Sequence, residues 1–322
     1  MANAVNASSS SFLGGFDNVT MGCVSSAYGL VSLTTTALVL VGVNRAPATR
    51  GSPFARLSTS MGLADCTVLA LFALWEGPVL ASQSSSLAAS GLGRLAGRLM
   101  ILGWFASLFT VLALAINRAL AMAYPVQYDR TFTRANTTAV AIAAWLAAML
   151  IFFSMFGEGC SFFYRPEGPY WTYEATNCGA ALLYYVDYWL SLVVLALILS
   201  FNAVALFYLR RGNHRLLGSL NGQGEARRSA KEESKRRRRQ ELRFLGVTLA
   251  NVGALLYAIV SFHVLSPLAT GKWGVYFTGS FVVMVSQSSN GFLIALLLKD
   301  VRKQMFSIHT LKEHPAIPKS RS

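Results

Sequence analysis

Apolar and polar positions alternate along this chain on the scale of whole segments. Seven predominantly apolar runs, each of about 20 residues or more, are separated by short polar or charged connections. They lie near Gly22–Val43, Leu57–Ala81, Leu99–Ala123, Asn136–Phe156, Ala181–Leu209, Phe244–Leu265 and Val275–Leu298. The second run holds Asp65 and Glu76, and the third begins softly around Arg94 and Arg98. In hydrocarbon the backbone finds no water to bond, so each run is predicted to be an α-helix. The pattern therefore predicts an all-α membrane protein. A tail over 1–21 precedes a seven-transmembrane helix bundle over 22–306, and a second tail covers 307–322. Past the seventh run, Lys299–Phe306 mixes charged and apolar residues at near-helical spacing, which predicts a short amphipathic helix on the inner membrane surface.

Composition sharpens this picture. Of 322 residues 54% are hydrophobic and only 13% charged, with a mean hydropathy of +0.46. A soluble domain carries about 25% charged residues, so a water-soluble enzyme is excluded. The net charge of +14 would suit nucleic acid were it spread over a soluble surface, but its distribution points to topology. Arg94, Arg98, Arg165 and Lys272 fall in the even-numbered connections, and the N-terminal tail has no basic residue. The other 24 of the 28 Lys and Arg residues lie in the odd-numbered connections or the C-terminal tail. Basic residues stay on the cytoplasmic side. The N-terminus is thus placed outside and the C-terminus inside, in a multi-pass plasma-membrane protein.

Sequons at Asn6-Ala7-Ser8 and Asn18-Val19-Thr20 fall in the external tail, whereas Asn136-Thr137-Thr138 would face the cytoplasm. The first 21 residues show no basic n-region followed by a compact apolar core and cleavage site. The first span is expected to act as the translocation signal. The Lys235–Arg239 run lies in the fifth connection, where it anchors topology and attracts anionic lipid headgroups; no nucleic-acid partner is expected. Glu232 and Glu233 precede Arg236 and Arg237 by four residues, the favourable order for helical ion pairs. The sixth helix is therefore expected to extend inward from near Ala230.

Ionisable residues within spans are functional candidates. Asp65, nearest mid-membrane, is expected to face a polar interior with Asn290 or Ser289. Glu76 and Asp187 lie toward outer helix ends within reach of water, and His263 stands at a helix end. No catalytic or metal-ligating constellation emerges, since only one of four histidines lies in a span and zinc needs three or four ligands. No cofactor is implied. A transporter would usually show an internal repeat with paired helix breaks. None is visible, although a non-signalling multi-span protein such as a transporter is the alternative class.

One string carries a resemblance. Asn117-Arg118-Ala119 closes the third span, followed by Pro125 and Tyr128. This resembles the Asp-Arg-Tyr segment of rhodopsin-like G-protein-coupled receptors, where proline follows the arginine by seven residues and tyrosine comes three later. Trp145, Asp65 and Asn290 occupy places the family marks in its fourth, second and seventh helices. The departures are Asn117 for the usual acid, Ala119 for tyrosine, Asn290-Gly291 where proline is expected and Ile294 where tyrosine is. Gly93 stands where the family's third-helix cysteine would fall. Asn-Arg with this continuation, and an outer loop containing Pro166-Glu167 and Trp171 between two cysteines, is similar to nematode serpentine class X chemoreceptors. The resemblance implies a receptor that binds a small external ligand and activates a heterotrimeric G protein. Coupling would run through Asn117, Arg118, Pro125 and Tyr128, around an intramembrane polar centre of Asp65 and Asn290. The ligand pocket would draw on the outer halves of the third, fifth, sixth and seventh helices, with Arg98, Tyr184, Asp187, Tyr257, His263 and Tyr276 as candidates.

Four cysteines are too scattered for a zinc site. Cys160 and Cys178 share the external fourth connection, where disulfides persist, whereas Cys66 lies deep in a span and Cys23 at the start of another. A Cys160–Cys178 bond is expected, the alternative being two free thiols. With no cysteine on the third helix to hold it, this loop is expected to be pinned only to itself and to sit loosely over the pocket. The topology has a direct check: in glycan mapping of inserted protein, Asn6 and Asn18 are expected to be able to carry sugar and Asn136 is not. A modified Asn136 would reverse the orientation.

Overall fold

The computed structural model describes residues 2–47, 49–218 and 245–306. Within them seven helices are long and apolar enough to cross a membrane: Phe16–Arg45, Pro53–Ser82, Gly91–Ala123, Arg134–Ser154, Asn177–Arg211, Leu245–Leu268 and Gly271–Leu297. The expected extension from Ala230 lies outside the described residues.

Local chemistry sets several of the boundaries. Pro53 opens the second helix, where its missing N–H costs nothing, and the Ser52 hydroxyl accepts from the Ala55 N–H. Ser90 caps the third helix through Gly93, so that helix starts at Gly91, eight residues before the apolar run becomes obvious at Leu99. Arg94 and Arg98 are therefore helical. The 33 residues of this helix extend about 50 Å at ~1.5 Å each, well beyond the ~30 Å hydrocarbon core. Pro125 then starts the short helix Pro125–Thr131, and Thr133 caps the fourth helix through Asn136.

The third helix forms the axis of the bundle. It packs against the second, fourth and fifth helices, with Phe105, Leu108 and Ala115 fully buried. Trp145 of the fourth helix donates to the Ser60 hydroxyl of the second at 3.0 Å. The first and second helices approach backbone to backbone at Gly22, where a Cβ would stand 2.5 Å from the Gly77 carbonyl oxygen. Small residues permit such contact in membrane bundles. After the seventh helix comes Lys299–Phe306, whose Val301 and Met305 are buried against the first helix at Gly42.

Four helices are locally widened into π-helical turns: Phe72–Glu76, Leu182–Leu190, Ser261–Leu265 and Phe277–Phe281. Between the fourth and fifth helices, β1 (Phe162–Arg165) and β2 (Tyr170–Tyr173) form an antiparallel hairpin, with Phe162 opposite Tyr173 and Arg165 opposite Tyr170. Alternate side chains of a strand share a face, and here Phe162, Tyr164, Trp171 and Tyr173 are buried. Cys160 and Cys178 are disulfide-bonded just outside the hairpin, closing a separation of 18 residues, which constrains the unfolded chain by about 3 kcal/mol.

The hairpin does not sit loosely. Gly97 of the third helix lies so close to β1 that a Cβ there would fall 1.8 Å from the Phe162 carbonyl oxygen. Backbone contact replaces the missing covalent link to the third helix. Gly97→Val is accordingly expected to lower stability by about 1–3 kcal/mol, read as a drop in thermal midpoint of the purified protein. Gly246→Ala, where an added methyl meets nothing within 4 Å, should leave the midpoint unchanged or slightly raised.

Candidate functional site

At the hairpin end of the bundle, Glu76 is the side chain on which most elements converge. The π-helical turn Phe72–Glu76 carries it inward, and it is 0% exposed. One carboxylate oxygen accepts from Ser25 of the first helix at 3.2 Å, and the other accepts from the Trp171 indole N–H of β2. Ser25 in turn bonds the Tyr276 hydroxyl of the seventh helix at 2.8 Å. Ser280, on the π-helical turn of the seventh helix, donates to the Pro169 carbonyl between the two strands. The sequence-based expectation that water reaches Glu76 is thus corrected, because the hairpin covers this helix end. Burial, then the nearby Glu76 charge, raises the Tyr164 hydroxyl well above the usual phenol range, and burial does the same for Tyr173. Both remain neutral phenols.

Next to this cluster lies a cavity of about 40 Å³. Its wall includes Phe162 and Trp171 from the hairpin, Trp104 from the third helix, Phe72 from the second, Asp187 from the fifth, and Phe262 and His263 from the sixth. A water occupies ~30 Å³ of liquid, whereas pockets for drug-sized ligands measure roughly 300–1,000 Å³. In this conformation the space suits a molecule of few heavy atoms. Each of the four π-helical turns contributes to the wall, through Phe72, Asp187, Phe262 with His263, and Gly279.

Of the candidate ligand residues, Asp187 and His263 meet on this wall, with Nε2 of His263 3.9 Å from a carboxylate oxygen of Asp187. Tyr276 is buried one layer away, on Ser25 and the Met21 carbonyl. Arg98 is engaged elsewhere: its Nε donates to the Met155 carbonyl at 3.1 Å and its guanidinium lies 3.9 Å over the Phe156 ring. Tyr184 and Tyr257 are exposed on the outside of the bundle and do not line the cavity. The aromatic residues that do line it went unnamed as ligand candidates. For Phe162 and Trp171 the sequence signal is the alternation of aromatic residues in Phe162–Arg165 and Tyr170–Tyr173 around Pro166-Glu167-Gly168-Pro169. At that turn the Ser85 hydroxyl donates to Glu167, which holds this exposed carboxyl below its ordinary range.

Deeper in the bundle Asp65 is 1% exposed and accepts from Ser107 at 2.7 Å, with Asn290 beside it. Ser289 instead donates to Asn251 of the sixth helix at 2.7 Å. At the opposite end Arg118 is only 7% exposed, its guanidinium 5.8 Å from the Phe54 ring. It borders a space of about 10 Å³ with Thr248 and Asn251 of the sixth helix and Asn290 of the seventh. Asn117 donates to the Tyr128 hydroxyl at 3.3 Å, and Tyr128 stacks on Phe132. Pro125 opens the short helix that carries Tyr128.

Trp171→Phe keeps an aromatic ring but removes one donor to the buried Glu76. A loss of about 1–3 kcal/mol is expected, measured as a lower thermal midpoint. Trp75→Phe is the control, because the Trp75 indole N–H has no hydrogen-bond partner among the described residues. Equal losses in the two variants would deny Trp171 its bridging role.

The family model of the serpentine type 7TM GPCR chemoreceptor Srx matches residues 30–297. Among solved structures the fold is similar to that of squid rhodopsin, with a TM-score of 0.74 over 90% of this chain and 85% of that one. Only 11% of residues are identical, so this second likeness is one of fold. No curated protein matches the sequence. With seven membrane-spanning helices in a rhodopsin-like arrangement and a family match across nearly the whole bundle, the chain belongs to the Srx family of seven-transmembrane G-protein-coupled chemoreceptors.

Proposed function

We propose that this protein is a plasma-membrane chemoreceptor that binds a small external ligand beneath its hairpin and activates a heterotrimeric G protein at the opposite end. Supporting this orientation, the basic residues concentrate at the Arg118 end, as the positive-inside tendency requires. The hairpin and its disulfide then face the oxidising exterior. Asn18 is buried and its side-chain oxygen accepts from Lys272, which leaves Asn6 as the sequon expected to carry sugar. The basic residues of the fifth connection would hold that face against anionic lipid.

The observation that carries this reading is the buried Arg118 in contact range of the sixth and seventh helices. A permanently charged guanidinium is costly to bury, so its place between helices has to be secured by the surrounding groups. The third, sixth and seventh helices border both the hairpin-end cavity and the Arg118 space. A ligand that binds one arrangement of these helices more tightly than another shifts the population toward it. Separation of the sixth helix from Arg118 would open the inner space for a G-protein segment. Asn117, Tyr128 and Pro125 position the short helix beside Arg118, and Asp65 with Asn290 links the second, third and seventh helices midway.

Arg118→Ala is expected to reach the cell surface while G-protein nucleotide exchange falls at least about tenfold, within the range of allosteric couplings. Asn117→Asp should lower basal exchange, since a carboxylate next to Arg118 forms bonds roughly twice as strong as a neutral amide does. Surface expression and nucleotide exchange in the same cells provide the check. An Arg118→Ala receptor that signals like the parent would reduce Arg118 to a topology charge.

A further inference from the structure

We propose that the cavity beneath the hairpin is an aromatic cage for a small alkylammonium ion, with Asp187 as its counter-charge. The binding claim stands on the cavity wall, and its consequence for signalling rests on the receptor reading given above.

Five aromatic residues line this small space: Phe72, Trp104, Phe162, Trp171 and Phe262. The face of each ring is its negative side, and cations are held there by the ring quadrupole, most strongly by tryptophan and when water is excluded. Asp187 is the only carboxylate on the wall among the described residues, and it is buried. Among the described residues no Lys or Arg lines the cavity, and the neighbour able to carry positive charge is His263, 3.9 Å away. That imidazole packs between aromatic rings, 5.0 Å from Tyr188 and 5.1 Å from Phe262.

The basic residues of this end are placed elsewhere. Arg98 is held by the Met155 carbonyl and Phe156, Lys272 by Asn18, and Arg165 lies over Phe163 on the exposed edge of β1. Arg94 is exposed. A buried carboxylate with no fixed cation favours a positively charged ligand, because charge in a site of low polarity is costly unless paired. An anion would face Asp187 repulsion, and a neutral molecule would leave the carboxylate with only the Tyr173 hydroxyl and His263 as partners.

The kind of cation follows from what the wall lacks. Metal ions such as calcium take six to eight oxygen ligands, but here one carboxylate stands among hydrocarbon rings. Among the described residues no group of three or more His, Cys, Asp or Glu side chains could hold a metal. A weakly hydrated methylated ammonium matches rings on most sides and a carboxylate on one. The volume of about 40 Å³ limits the ligand to a few heavy atoms unless the wall yields.

Three probes of similar shape and different charge test the cage: tetramethylammonium, tert-butanol and pivalate, each titrated into the purified full-length receptor in lipid nanodiscs. Thermal midpoint and tryptophan fluorescence are recorded. Tetramethylammonium is expected to raise the midpoint saturably and perturb the fluorescence, while tert-butanol and pivalate do neither at equal concentration. Asp187→Asn should weaken the cation response about tenfold or more, equivalent to at least ~1.4 kcal/mol, and Asp187→Glu should retain part of it. Equal responses to tert-butanol, a response to pivalate alone, no response to the cation, or undiminished binding by Asp187→Asn would overturn the cage. If Asp187→Asn does not fold, the charge series on the parent receptor decides. Nucleotide exchange on a G protein is measured alongside. Cation binding that never alters exchange would support the cage and count against the receptor reading, whereas exchange driven by tert-butanol or pivalate as well would do the reverse.

Discussion

A carboxylate buried between membrane helices must have its oxygens bonded by the protein, since the lipid offers nothing in exchange. Glu76 imposes that constraint on the hairpin end. Its two oxygens draw a hydroxyl from the first helix and an indole N–H from the hairpin, and the same hydroxyl reaches the seventh helix through Tyr276. Three segments far apart in sequence are thereby fixed around one side chain. The cavity wall depends on this, because Trp171 presents its ring to the cavity while its N–H is held by Glu76. Movement of that ring would therefore act on Glu76, whose other oxygen holds Ser25 of the first helix.

The π-helical turns are the backbone counterpart of that constraint. An inserted residue rotates the rest of a helix and leaves hydrogen bonds locally strained, and such turns gather at functional sites. Here four helices carry them, and all four turns meet at one cavity. Without the widening at Leu182–Leu190, Asp187 would lie at a different angle on the fifth helix. The bundle has thus shaped its pocket by helix winding, with the fifth helix containing no proline at all.

The seven helices were legible because their cause is local: a long apolar run in lipid has one backbone solution. The disulfide was legible as well, since only two cysteines share a connection on the predicted outer side. Side-chain direction was not. Tyr184 and Tyr257 sit at suitable depth but are exposed on the outside of the bundle, and Tyr184 lies in the π-helical turn Leu182–Leu190, a change of winding that an apolar run does not encode. Arg98 stands at the hairpin end of the third helix, but its guanidinium bonds the Met155 carbonyl at the end of the fourth helix and does not line the cavity. Burial of Glu76 depends on a hairpin more than eighty residues later in the chain, and no window around Glu76 contains that information.

The bundle joins its two ends through polar groups placed at intervals along shared helices. The third helix carries Trp104 at the cavity, Ser107 on Asp65, and Arg118 at the far end. The seventh carries Gly279 at the cavity, Asn290 beside Asp65 and again beside Arg118. Between these points the packing is tight, with Leu108, Ile259 and Met284 buried in one core. Such a core does not deform gradually, because close-packed side chains transmit strain. Asp65, held by Ser107 with Asn290 beside it, is thus the polar point at which the second, third and seventh helices meet midway between the cavity and Arg118.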